Sequence, residues 1–209
     1  MLRRVMMAGG TPPTSGPYWN PADCHPSVVL SSGNAVATRN SDTAAWRCVR
    51  SVTSHNSGKW YAECENLANG SVNGSLTFGL ADQEMALTLK PGSNTGSWGA
   101  QANDANVKNT FWNNIPTSRP GPPIGVGGVV CIAVDFGGGE IPGRIWFGDS
   151  ESGWYAGDPA AGTGAQYTFA ANTTRKLILG LFSNPQSCRL RNQPGENLLT
   201  IPSGYSMWG

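Results

Sequence analysis

Residues 46–65, WRCVRSVTSHNSGKWYAECE, decide the fold. From Trp46 to Val52 the side chains alternate, with Trp46, Cys48, Arg50 and Val52 on one face and Arg47, Val49 and Ser51 on the other. Beyond the turn-like Ser54-His55-Asn56-Ser57-Gly58, Lys59–Glu65 repeats the pattern. Trp60, Ala62 and Cys64 share one side, and Tyr61, Glu63 and Glu65 the other. A period of two is the signature of a β-strand, and Asn/Ser/Gly clusters mark where strands end.

Working outward, the same period recurs. Ser27–Leu30 and Ala35–Thr38, joined by Ser31-Ser32-Gly33-Asn34, read as a hairpin. Leu76, Phe78 and Leu80 alternate, and Ile145–Phe147, Lys176–Phe182 and Leu198–Ile201 supply further strands. Val129–Phe136 is apolar on both faces, as a central strand covered from both sides must be. Leu89–Pro123, rich in Asn, Gly, Ser and Pro, reads as long loops around short strands. Short strands at close intervals, with almost no helical periodicity, predict an all-β sandwich or barrel over residues 18–209.

Composition agrees. Charged residues make up 13% of the 209, about half the usual share, while 28 Gly, 15 Pro and 8 Trp suit a turn-rich β domain. A net charge of +1 and the lack of a basic block argue against nucleic acid as a partner. The longest apolar run, Val126–Phe136, is broken by Gly127 and Gly128 and closes on Asp135, too short to insert in a membrane. MLRRVMMAGGTPPTSGP lacks an apolar stretch of signal-peptide length, so the chain is expected to be made without secretion. Residues 1–17 cannot build a core of their own and read as an extended arm. In it Leu2, Val5, Met6 and Met7 offer apolar contacts to a partner subunit, and Arg3 and Arg4 reach acidic groups on it.

In order along the chain come Trp19-Asn20-Pro21-Ala22-Asp23, VVLSSGNAVAT from residue 28, and the opening stretch at 46–65. SLTFGLA from 75, GSWGAQA from 96 and VGGVVCIAVDF from 126 follow. GRIWFGDSESGW from 143, GDPAAGTG from 157, LILGLFSN from 177 and PSGYSMWG from 202 complete the series. This succession, from Trp19 to Trp208, resembles the SPRY domain, particularly the stand-alone version in tailed-bacteriophage structural proteins. The resemblance implies a concanavalin-like sandwich of two antiparallel sheets that binds through edge loops and is not an enzyme. It further implies a virion protein of the tail or capsid, assembled in the bacterial cytoplasm. Its partners would be other virion subunits, including copies of itself, and a host-surface glycan is the alternative. Where the family has Gly-Asp-Val-Ile-Gly-Val this chain has Gly127-Gly128-Val129-Val130-Cys131-Ile132, and Gly148-Asp149-Ser150-Glu151-Ser152-Gly153 replaces a shorter turn.

Several groups of residues could carry chemistry. Glu63 and Glu65 could form the acid and nucleophile of a sandwich glycosidase. No third carboxylate completes that motif, and a solvated outer face explains the pair. His25 and His55 read as exposed loop histidines. Asp149, Glu151 and Asp158 could line a calcium loop but serve equally as turn residues. No cofactor or metal ligand set is expected. Arg189 and Arg191, near Arg175 and Lys176, could present a local basic patch. Cys24, Cys48, Cys64, Cys131 and Cys188 show no metal spacing and read as reduced thiols, Cys24 the most accessible. The stronger lead is loop aromatics beside amides: Trp98, Trp112 with Asn113 and Asn114, and Trp154 with Tyr155. Such groups stack on sugar rings or anchor protein contacts, though each also suits core packing.

Overall fold

The computed structural model describes residues 18–41, 43–70, 76–104, 107–120 and 124–209. Residues 1–17, expected to form an anchoring arm through Leu2, Arg3, Arg4, Val5, Met6 and Met7, lie outside the described residues. Sixteen strands and no helix occur among those that are described.

One sheet has seven strands, and its edge is β1 (Trp19–Cys24), followed by β4 (Arg47–His55), β14 (Arg175–Leu181) and β6 (Leu76–Ala81). It continues through β7 (Ser97–Asp104) and β8 (Val107–Trp112) to the opposite edge, β9 (Ile115–Pro120). The second sheet runs from β12 (Gly153–Trp154) through β11 (Gly143–Asp149), β10 (Val129–Asp135), β5 (Lys59–Ala68) and β15 (Ser187–Arg191). It ends in β3 (Val36–Arg39) and β2 (Val28–Ser31). The short β13 (Tyr167–Phe169) adds to β11, and β16 (Ser206–Met207) adds to β5, the one parallel pair among the described residues. The protein is an all-β sandwich of two antiparallel sheets.

The alternation of residues 46–65 does what it predicts. Val49 of β4 and Ala62 and Cys64 of β5 enter the core between the sheets. They meet Phe78, Leu80, Leu177, Leu179, Ile132, Val134 and the fully buried Trp208 there. All of β10 is buried because its alternate face, Val129, Cys131 and Ala133, packs under a second cluster outside the sandwich. Residues 198–207 cover this outer face as a strap. They carry a single bridge and β16, not the strand expected over Leu198–Ile201, because their apolar side chains pack face-on onto the sheet.

The Leu89–Pro123 stretch also corrects the sequence reading. β7, β8 and β9 form a continuous meander that extends the first sheet. Its polar composition reflects an edge with solvent on one side. Asn113 and Asn114, with φ of 49° and 60°, make the two-residue turn between β8 and β9. In this register Pro116, Ser118 and Pro120 direct their amide positions away from β8. Proline has no amide hydrogen, so only Ser118 offers a donor along that edge.

Candidate functional site

The strap and two neighbouring turns build a groove on the outer face of the second sheet. Its volume is about 490 Å³, within the roughly 300–1,000 Å³ of small-molecule sites. Ser152, Gly153 and Trp154 line one side, Gly157, Asp158 and Ala160 another, and Thr200–Ser203 the third. A second hollow of about 250 Å³ is lined by Ser150 and Glu151 and by Leu198 and Leu199, the residues immediately preceding on two of those sides.

Each wall is held by its own bonds. The strap is tied down by Glu63: Oε2 accepts the Leu198 amide at 2.7 Å, and Oε1 accepts the Leu199 amide at 2.9 Å and the Tyr61 hydroxyl at 2.8 Å. Asn197 Nδ2 donates to the Leu199 carbonyl, and the Tyr205 amide closes a turn onto Pro202. Across the groove, Asp158 and Thr163 exchange both backbone bonds at 3.0 Å. Arg144 donates to the Gly162 carbonyl and Trp146 Nε1 to that of Thr163, each at 2.8 Å. Gly157 sits at φ 59° against the Thr163–Gly164 backbone, where a side chain would have no room.

Asp149 shapes the turn that carries Trp154. It is fully buried with Lys108 Nζ at 3.1 Å, and its other contacts are the Glu151 and Ser152 amides and the Tyr155 hydroxyl. With every contact committed inside the protein, Asp149 is a structural anchor joining β8 to β11 and not an ion ligand. No cluster that could hold a metal occurs among the described residues.

Several expectations change. Glu63 and Glu65 do not share a solvated face. Glu63 is wholly buried because the strap covers it, and Glu65 pairs with Arg191 at 2.7 Å. Burial raises the Glu63 carboxyl from 4.5 to about 7, outweighing the two strap amides, the Tyr61 hydroxyl and the charge of Arg191, all of which pull it down. His55 is not in an exposed loop; it ends β4, half-buried, stacked on Trp60 at 3.7 Å and bonded to the Trp208 carbonyl. Arg189 and Arg191 lie on β15 and Arg175 and Lys176 on β14, in opposite sheets, so they form no shared patch. All five cysteines are free, and Cys24 alone is not fully buried.

Of the aromatic leads, Trp98 is core. It is 3% exposed on β7, opposite Trp112, with Phe169 packed against it at 5.6 Å. Trp112, Asn113 and Asn114 are exposed at the tip of the β8–β9 hairpin, and the groove does not include them. Trp154 lines the groove, half-buried, with its ring edge-on to Tyr61 at 6.2 Å. Tyr155 turns the other way, into the Asp149 anchor. Thr200–Ser203 escaped the sequence reading as site residues, because they join Trp154 only through the fold.

Solved structures share this arrangement. The TRIM65 PSpry domain superposes with a TM-score of 0.57 at 17% identity, covering 84% of this chain and 92% of that one. The SPRY domain of human HERC1 gives 0.61 at 11% identity, covering 82% and 96%. The fold is that of a SPRY domain. Stonustoxin matches over 83% of this chain and 26% of its own, with a TM-score of 0.53 and 15% identity. No family model matches the sequence, and no curated protein is significantly similar to it. On this SPRY fold the groove lies outside the sandwich, between the Gly148–Gly153 turn and the C-terminal strap.

Proposed function

We propose that the chain is a non-enzymatic binding domain, carried as an accessory on the tail or capsid of a tailed-bacteriophage particle and held there through residues 1–17. The observation that carries the binding reading is the groove. Two separately pinned walls and an aromatic side chain stand ready on an outer face. Glu63, one of the two carboxylates weighed for catalysis, is spent on holding one wall. A site already ordered before its ligand arrives loses little entropy on binding.

The particle setting is supported by the ordered succession of segments from Trp19 to Trp208, which resembles the phage SPRY proteins. Leu2, Val5, Met6 and Met7 would bury against another virion protein, with Arg3 and Arg4 meeting its acidic groups. An arm that orders on docking covers a long strip of partner surface at an entropic cost. Further copies of the chain would surround it in the particle, making a homo-oligomer there.

Deleting residues 1–17 tests the anchoring directly. The truncated protein should unfold cooperatively with an unchanged midpoint, yet be missing from purified particles. Incorporation of the truncated form at full occupancy overturns the reading.

A further inference from the structure

The lining of the groove specifies what it can hold. It contains one indole, Trp154, one carboxylate, Asp158, and the hydroxyls of Ser152, Thr200 and Ser203, with no Lys, Arg or His. The adjoining hollow adds a second carboxylate, Glu151, and again no cation. An anionic ligand would meet only like charge there. An apolar ligand would find Trp154, Ile201 and Pro202 but would strip water from the carboxylate and hydroxyls without replacing their hydrogen bonds.

A peptide fits poorly for another reason. Peptides recognised by their main chain add to an open strand edge. Here the edge strand β12 is two residues long, and the following Tyr155 amide is taken by the Phe147 carbonyl. A neutral polyhydroxylated ring satisfies what remains. Its C–H face lies on an indole, and its hydroxyls donate to a carboxylate and exchange bonds with side-chain hydroxyls. Ser152 Oγ, which has no hydrogen-bond partner among the described residues, can gain one by a rotamer change toward such a ligand.

Length follows from the two hollows. Residues 150–154 and 198–203 border them end to end, so the site is a trough and not a single cup.

We infer that this trough, bounded by the Gly148–Gly153 turn, the Asp158–Thr163 turn and the C-terminal strap, is a subsite for a neutral oligosaccharide. Trp154 is its stacking platform, and Asp158, Thr200 and Ser203 are its polar contacts. The inference rests on the reading of the domain as a non-enzymatic binding module.

Saturation-transfer NMR on the full chain tests it. The probes are neutral tri- and tetrasaccharides of glucose, galactose, mannose, rhamnose and N-acetylglucosamine, with sialyllactose and oligogalacturonate as acidic counterparts. At least one neutral probe should receive saturation, concentrated on one face of a ring, and the acidic probes should receive none. Trp154→Ala should weaken binding at least tenfold and Asp158→Asn severalfold. Should Trp154→Ala fail to fold, Ser203→Trp, at an exposed position of the strap, fills the trough from outside and should abolish the signal. Silence from every neutral probe, preference for an acidic one, or undiminished binding by both Trp154→Ala and Ser203→Trp overturns the inference. None of these outcomes bears on incorporation through residues 1–17, which the deletion reads separately.

Discussion

Glu63 gives the sharpest quantitative test of the strap. Folding moves its carboxyl from 4.5 to about 7, chiefly through desolvation. Each unit corresponds to about 1.4 kcal/mol, so the buried charge costs about 3 kcal/mol once both folded and unfolded chains are ionised. The direction follows from proton binding. The folded state holds the proton more tightly, so this contribution favours folding most below pH 4.5. It declines as pH rises and reaches its floor above about 7. Glu63→Gln removes the charge while keeping one acceptor for the strap amides. Urea unfolding of both proteins, followed by tryptophan fluorescence, should therefore show the wild type losing about 3 kcal/mol relative to the variant between about pH 4 and about pH 8. Other titrating groups cancel in the difference. A gap constant to within about 0.5 kcal/mol would refute the reasoning. A gap that moves the opposite way would mean that the Leu198 and Leu199 amides and Arg191 outweigh burial.

Three further outcomes follow from the packing. Lys108→Met strands the buried Asp149 charge and should cost about 3–5 kcal/mol, whereas adding Asp149→Asn should recover much of the loss; equal instability of single and double variants in denaturant titrations would contradict this. Gly79→Ala drives a Cβ onto the Trp98 carbonyl and the Gly99 backbone, and should lower stability by at least about 1–3 kcal/mol, read as a fall in thermal midpoint. A chromogenic disulfide reagent should label one thiol of five in the native protein, and slowly. Cys24 is half-buried with its thiol pushed up to about 11, while Cys48, Cys64, Cys131 and Cys188 should react only on unfolding.

The strands were legible because their information is local. The alternation of Trp60, Ala62 and Cys64 against Tyr61, Glu63 and Glu65 fixes two faces without reference to any distant residue. What those faces meet is not local. Glu63 reads as solvent-facing until residues 198 and 199 lie across it, and no neighbour of Glu63 in sequence announces the strap. Trp98 and Trp112 look alike in sequence, each among small polar residues. They are cross-strand partners, yet Trp98 is packed into the core while Trp112, the last residue of β8, stands exposed at a hairpin tip. Leu89–Pro123 misled through composition, since an exposed edge meander uses the same Asn, Ser and Pro that loops use. The groove was half visible: Trp154 and Asp158 stood out as residues, but their partnership with Thr200 and Ser203 exists only after the chain has closed.

The proline-spaced edge of β9 has a consequence for crowding. A domain displayed in many copies at high local concentration risks zipping its sheets together into fibres, because every open strand is a template for the next. With Pro116 and Pro120 removing two of the three outward amide donors, a neighbouring strand finds a single donor, Ser118, beside the outward carbonyls, and pairing along this edge is weakened. Two copies meeting along this edge would therefore gain fewer shared hydrogen bonds than two unbroken strands would, and the domains would stay separate units.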